Sequence, residues 1–171
     1  SVRQELTADG ALSTISGTGE MRIREARLLD VSGQPQSSVE VGSHVVLEVE
    51  TEVVEPVSQA VLGFLIKDRL GQSVYGINTQ RLDQVVENLQ VGERVTYRFS
   101  FDMRLGPGTY SFALSLSQQD SHVAKNYEWR DYALMIHVTN RSRENFVGCA
   151  WLSAQAEVRR ADSGVSPEVA R

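Results

Sequence analysis

The feature that most restricts this chain is a hydrophobic period of two, broken at regular intervals by glycine and proline. Residues 94–101 place Val95, Tyr97, Phe99 and Phe101 on one side and Thr96, Arg98 and Ser100 on the other. Leu105-Gly106-Pro107-Gly108 then marks a turn. Residues 109–117 alternate again, with Tyr110, Phe112, Leu114 and Leu116 set against Ser111, Ala113, Ser115 and Ser117. Such a period fits a strand with one buried face, not a helix. Residues 44–53 repeat it, with Val45, Leu47, Val49 and Thr51 opposite His44, Glu48, Glu50 and Glu52. Residues 20–30 start in phase at Met21 and Ile23 and slip by Ala26 and Leu28, which reads as a strand with a bulge. Residues 132–138 form one more strand.

The stretch 61–79, VLGFLIKDRLGQSVYGINT, reads as a β-hairpin. An apolar, β-branched run enters Asp68-Arg69-Leu70-Gly71, where Gly71 supplies a positive φ, and Val74, Tyr75 and Ile77 lie on the return. Strands at roughly ten-residue intervals with almost no helix predict an antiparallel β-sandwich of the immunoglobulin-like or jelly-roll type. Four segments read differently. Residues 1–17 lack periodicity and are expected to be a linker. Residues 81–92 carry Leu82, Val85, Val86 and Leu89 at helical spacing, which predicts a helical turn or an irregular piece. Residues 118–130 read as a loop. Residues 146–159 read as a last strand, detached by a polar break, that is able to leave the body and pair with a second copy. This sets the domain at 18–159, with 160–171 as a disordered tail.

Several functions are excluded. The net charge of −5, with no basic stripe, excludes a nucleic-acid partner. No apolar stretch approaches the ~20 residues of a membrane helix. The one cysteine, Cys149, rules out an internal disulfide, and its apolar neighbours predict a buried, inert thiol. His44, His122 and His137 lack metal-ligand spacing, and there is no phosphate-binding glycine loop and no nucleophile elbow. Asp83, Glu87, Asp120 and Asp131 offer carboxylates for glycoside hydrolysis, but so many acids yield a pair by chance, and they read as solvated charges. No catalytic residue, metal or cofactor is assigned.

What remains is a set of aromatic and amide side chains. Sugar rings bury an apolar face against Tyr or Trp while Asn, Gln and Arg bond their hydroxyls. Tyr75, Asn78, Thr79 and Arg81 stand on or after the return strand of the hairpin, and Tyr127, Trp129 and Arg130 stand near Asn126 and Asp131. These seven residues are the candidate site. Each of the three aromatics has a second reading as a plug for the end of the sandwich. The outward row Ser111, Ala113, Ser115 and Ser117 describes a flat floor on which a ligand can lie, and a solvated sheet face describes it equally well.

The order of the pieces resembles a known family. Gly17-Thr18-Gly19-Glu20 leads into a strand ending Leu28-Leu29-Asp30, and Val41-Gly42 opens the next. Phe64-Leu65-Ile66-Lys67-Asp68, Gly71 and Tyr75-Gly76-Ile77-Asn78-Thr79 make the hairpin; Gly108-Thr109-Tyr110, then Tyr127, Trp129 and Ala133-Leu134 follow. This is similar to the C-terminal domain of the Wzt-type nucleotide-binding subunit of ABC transporters that export lipopolysaccharide O-antigen. The resemblance implies a non-catalytic carbohydrate-binding module that reads the capped non-reducing end of the O-antigen polysaccharide, a mannose-based chain being the expected one. It also implies a homodimer through residues 146–159, an ATPase domain upstream of Ser1, a membrane subunit as partner, and a cytoplasmic place at the inner face of the inner membrane. An anionic cap would favour Arg81 or Arg130. Two rivals stand beside it: a protein-interaction module and a glycan-processing enzyme on the same fold.

Overall fold

The computed structural model describes residues 1–7, 10–120 and 123–162. Its strands are β1 (Val2–Leu6), β2 (Leu12–Ser16), β3 (Met21–Leu29), β4 (Ser38–Glu40), β5 (His44–Val53), β6 (Val57–Lys67), β7 (Ser73–Asn78), β8 (Val86–Leu89), β9 (Arg94–Asp102), β10 (Gly108–Asp120) and β11 (Val123–Thr139). No helix occurs among the described residues. The large sheet has the order β1-β2-β11-β10-β6-β7, with β4 pairing β11 and β8 pairing β6. The small sheet is β3-β5-β9. All pairs but one are antiparallel; β4 runs parallel to β11. The predicted sandwich is the fold.

The two sheets meet along the faces that alternation picked out. Val45, Leu47 and Val49 of β5, with Phe99 of β9, pack against Leu62, Phe64, Phe112 and Leu114 of the large sheet. Phe64 is the hub of an aromatic cluster, its ring centroid 4.9 Å from Phe99 and 5.9 Å from Phe112. On the outward face of the small sheet, Arg24 pairs with Glu52 at 2.5 Å, and Arg27 and Arg98 both reach Glu48. Exposed pairs of this kind stabilise little, but they keep the β3-β5-β9 register from slipping.

Tyr97 is an exception within the core. Its side chain is buried and its Oη has no hydrogen-bond partner among the described residues. Burial pushes the phenol up from 10.0 to about 12. The unfolded chain releases this proton near its ordinary value and the folded one near 12, so the contribution is fully present below about pH 10 and is lost as the pH rises towards 12. Tyr97→Phe deletes an unpaired hydroxyl and is expected to stabilise the fold by about 1 kcal/mol at neutral pH, and to remove this alkaline loss. Urea unfolding of both proteins at neutral and alkaline pH checks it. A variant less stable at neutral pH would mean that the hydroxyl has a partner.

Four sequence expectations are corrected. Residues 2–6 and 12–16 are not a structureless linker: β1 and β2 pair with each other, and β2 pairs with β11 through Ile15 and Ser16. Only Ile15 of these two strands joins the buried apolar set, so no alternating signal marked them. Residues 81–92 hold no helix. Asp83 and Asn88 take φ 57 and φ 54, which a right-handed helix does not tolerate, and Val86–Leu89 pairs with β6 instead. Residues 118–120 and 123–130 are strand, paired as the ends of β10 and β11; His122 lies outside the described residues. Residues 146–159, expected to pair with a second copy, form no strand within the chain itself. A single bridge joins Ala150 to Leu105, Trp151 donates its N–H to the Arg104 carbonyl at 2.9 Å, and the segment beyond is exposed. Cys149 is exposed, not buried. The tail expected at 160–171 falls beyond the described residues from 163 onward.

Candidate functional site

Strand pairing, not sequence proximity, builds the site. On the outward face of the large sheet Ser115 lies between Trp129 of β11 and Gly63 of β6, and Gly63 lies beside Asn78 of β7. One row across four strands therefore reads Trp129, Ser115, Gly63, Asn78. With strands roughly 4.8 Å apart, its ends stand about 14 Å from each other. Between them the two middle side chains are a hydroxymethyl group and a hydrogen atom, so the row is a trough. The adjacent rows deepen it with Ala113 and Gly76 on one side and Ser117 on the other. The trough encloses about 250 Å³, and Leu65 and Arg81 also line it.

The floor depends on the two glycines. A Cβ on Gly76 would lie 2.9 Å from the Leu65 side chain, and one on Gly63 would lie 3.2 Å from Cβ of Asn78. A side chain at Gly63 would press on Cβ of Asn78, and one at Gly76 would require the Leu65 side chain to move.

The turn after β7 orients the polar end. Asn78 Oδ1 accepts the Arg81 N–H at 2.8 Å, which fixes the amide and directs its Nδ2 donors away from the turn. The Arg81 side chain is exposed and has no acidic partner among the described residues. Gln80 Nε2 reaches the Gln119 carbonyl at 3.5 Å, and Gln119 Nε2 donates to Ser117 Oγ at 2.8 Å. The trough thus has a large aromatic wall, a bare floor, and an end carrying amides and one unpaired cation. Such a surface holds a flat ring by its apolar face and bonds hydroxyl or anionic substituents at the rim.

Of the seven sequence candidates, Asn78, Arg81 and Trp129 meet in the trough. The other four do not. Tyr75 is three residues from Asn78, and the strand period puts them on opposite faces. Tyr75 packs its ring 5.9 Å from Phe64 and lines a separate apolar cleft with Phe101 and Met103. Thr79 is buried, and its Oγ1 accepts the Leu62 N–H at 3.1 Å. Tyr127 is core: it is 2% exposed and its Oη donates to the Gln59 carbonyl at 2.8 Å. A register shift explains the split of Tyr127 from Trp129. Leu116 pairs Glu128 while Ser117 pairs Asn126, so Tyr127 is the extra residue of a bulge that turns it inward and leaves Trp129 outward. Arg130 points between the sheets, donating to the Ile23 carbonyl at 3.0 Å and to Glu128 at 3.3 Å. Gly63, Leu65, Gly76 and Gln119 were not singled out in the sequence. The lone Gly63 inside an apolar run was the available signal, since a glycine within a strand marks close approach of something to the backbone.

The model of the Wzt C-terminal domain family matches residues 13–152. Among solved structures, a crystal structure of the C-terminal domain of Wzt aligns with a TM-score of 0.76 at 19% identity, over 86% of this chain and 89% of that one. A Niemann-Pick type C2 protein from the Japanese carpenter ant aligns with a TM-score of 0.49 at 7% identity, over 73% of this chain and 98% of that one. No curated protein matches in sequence.

Proposed function

Because this chain belongs to the family of Wzt C-terminal domains, we propose that it is the glycan-reading module of an ABC transporter for polysaccharide export, and that the outward trough of the large sheet is where it reads. The observation that carries this is the cross-strand row Trp129, Ser115, Gly63, Asn78. A sugar stacks on Trp129 and rests on the bare floor; Asn78 and Gln119 bond its hydroxyls; Arg81 takes an anionic substituent. Nothing in this scheme turns the ligand over, so the module selects its cargo rather than altering it.

The finer reading is that the trough takes the capped non-reducing end of an O-antigen polysaccharide, mannose-based in the simplest case. Recognition of a finished end then licenses transport by an upstream ATPase domain and a membrane subunit, with the module on the cytoplasmic side of the inner membrane. A homodimer through residues 146–159 would place two troughs beside one transporter. Supporting this is the exposure of Leu152 at 79% and Val158 at 88% in a segment that leaves the body after Trp151. Two troughs raise avidity only where both reach glycan at once.

The test is a titration of O-polysaccharide, capped and uncapped, from the cells that make this protein. Trp129→Ala is expected to weaken binding about thirtyfold, or ~2 kcal/mol, as for an aromatic anchor, with an unchanged melting transition. Equal binding by variant and native protein would take the site elsewhere.

A further inference from the structure

The large sheet ends in an open strand. Among the described residues β1 pairs only with β2, and all five of its side chains are exposed. Its other side presents backbone N–H and carbonyl groups to any strand that fits. Register decides what each side chain faces. Ser16 of β2 stands opposite both Val2 and Trp129, so Val2, Gln4 and Leu6 share the outward face with Trp129. Val2 is 73% exposed, Leu6 74% and the adjoining Leu12 56%. Arg3 and Glu5 point to the other face, where Arg3 Nε lies 3.2 Å from Glu5 Oε1. The strand thus runs apolar, positive, neutral, negative, apolar.

Reversed, that order complements itself. An antiparallel copy centred on Gln4 sets Val2 against Leu6, Arg3 against Glu5, and Gln4 against Gln4. Opposite charges and apolar pairs directly across from each other are the favourable cross-strand contacts. The other open edges lack this property. In full overlap β3 would set Glu25 against Glu25 and β9 would set Arg98 against Arg98. β7 carries no charge to fix a register.

We propose that β1 is a docking edge for a second copy of this chain, paired antiparallel about Gln4. The two-fold axis passes between the two Gln4 residues, perpendicular to the sheet, so the path β1-β2-β11-β10-β6-β7 continues from one copy into the other. On the outward face Leu12 and Leu6 of one copy meet Val2 of the other in an apolar strip. On the opposite face two arginines and two glutamates alternate. Exposed ion pairs contribute little to affinity, but they oppose a slipped register or an unrelated strand. This interface is distinct from residues 146–159 and needs no glycan. A five-residue strand buries less than the roughly 1,200 Å² of a stable complex, so Kd is expected on the order of 100 μM.

Disulfide trapping tests the register, on the full 171-residue chain carrying Cys149→Ser because Cys149 is exposed. Opposed Cα atoms of an antiparallel pair stand about 4.5–5.5 Å apart, within reach of a disulfide. Gln4→Cys is expected to link two copies. Leu6→Cys is expected not to, since its two copies are offset by four residues, or about 13 Å. Sedimentation tests the charges. Arg3→Glu and Glu5→Arg are each expected to weaken self-association about tenfold, while an equimolar mixture of the two pairs as tightly as the native chain, because opposite charges then face each other again. Circular dichroism confirms that the variants fold, and Glu5→Arg leaves the contact of Arg3 with Glu128 in place. No link at Gln4→Cys, or equal linking at Leu6→Cys, would overturn the pairing. So would a mixture no tighter than its components. Association that survives both charge variants without a link at Gln4→Cys would belong to another surface, residues 146–159 among them.

Discussion

Glu128→Ala is expected to cost about 3–5 kcal/mol, a third or more of the stability of a typical domain. The bulge in β3, between Ile23 and Glu25, interrupts the pairing with β5. The N–H and carbonyl of Ile23 are met from the other sheet instead: Glu128 Oε2 accepts the N–H at 3.0 Å and Arg130 Nη2 donates to the carbonyl at 3.0 Å. Glu128 and Arg130 pair with each other at 3.3 Å, and Glu128 is 3% exposed. This is a polar bolt through the core, with each member meeting the charge or dipole of another. Removing the carboxylate leaves a guanidinium mostly buried without its counter-charge and an amide without an acceptor. That is a far larger penalty than the pair's own contribution to stability. Replacing both, as Glu128→Met with Arg130→Met, leaves no stranded charge but leaves the N–H and carbonyl of Ile23 without partners, so it is expected to recover only part of the loss. Denaturant unfolding of the three proteins decides the matter. A single variant within 1 kcal/mol of the native protein would show that the bolt holds nothing.

The largest effect on binding is expected from Ser115→Phe. Ser115 stands at the centre of the trough, partly exposed, with Gly63 on one side and Trp129 on the other. A phenyl ring there lies over Gly63 and occupies the space a sugar would take. Because it fills an open outward position, the fold is expected to persist. Binding is expected to fall at least hundredfold, about 2.7 kcal/mol, more than truncating Trp129 removes, since one substitution deletes a contact and the other closes the site. Retained glycan binding with an intact melting transition would exclude the trough as the recognition surface.

The sandwich and most of its inward faces are readable from the chain alone. In β5, β9 and β10 the period of two is unbroken, and every apolar position it nominates for the core points inward. The small outward residues of β10 were legible too, because a face with no long polar side chains is unusual for a strand open to water. Tyr75 was readable and misassigned: three residues from Asn78 in a strand means the opposite face. The pair β1-β2 was not legible, because a two-stranded addition that buries one isoleucine needs no pattern of its own. Nor was the coil of residues 146–159, where Phe146 and Trp151 pack against the core while Val147, Leu152 and Val158 stay exposed.

Sequence by itself determined the class of fold, the hairpin that carries Asn78, and the aromatic and amide types from which the site is made. Tertiary structure decided which of them meet. Trp129 and Asn78 are about fifty residues apart in the chain and come to one row through β10 and β6, a consequence of strand order that no local pattern encodes. The bulge at Tyr127 sends that ring into the core and Trp129 out of it, because one inserted residue reverses the facing of everything beyond it. Alternation fixes a residue's face; register and bulges fix its neighbours, and the neighbours make the site.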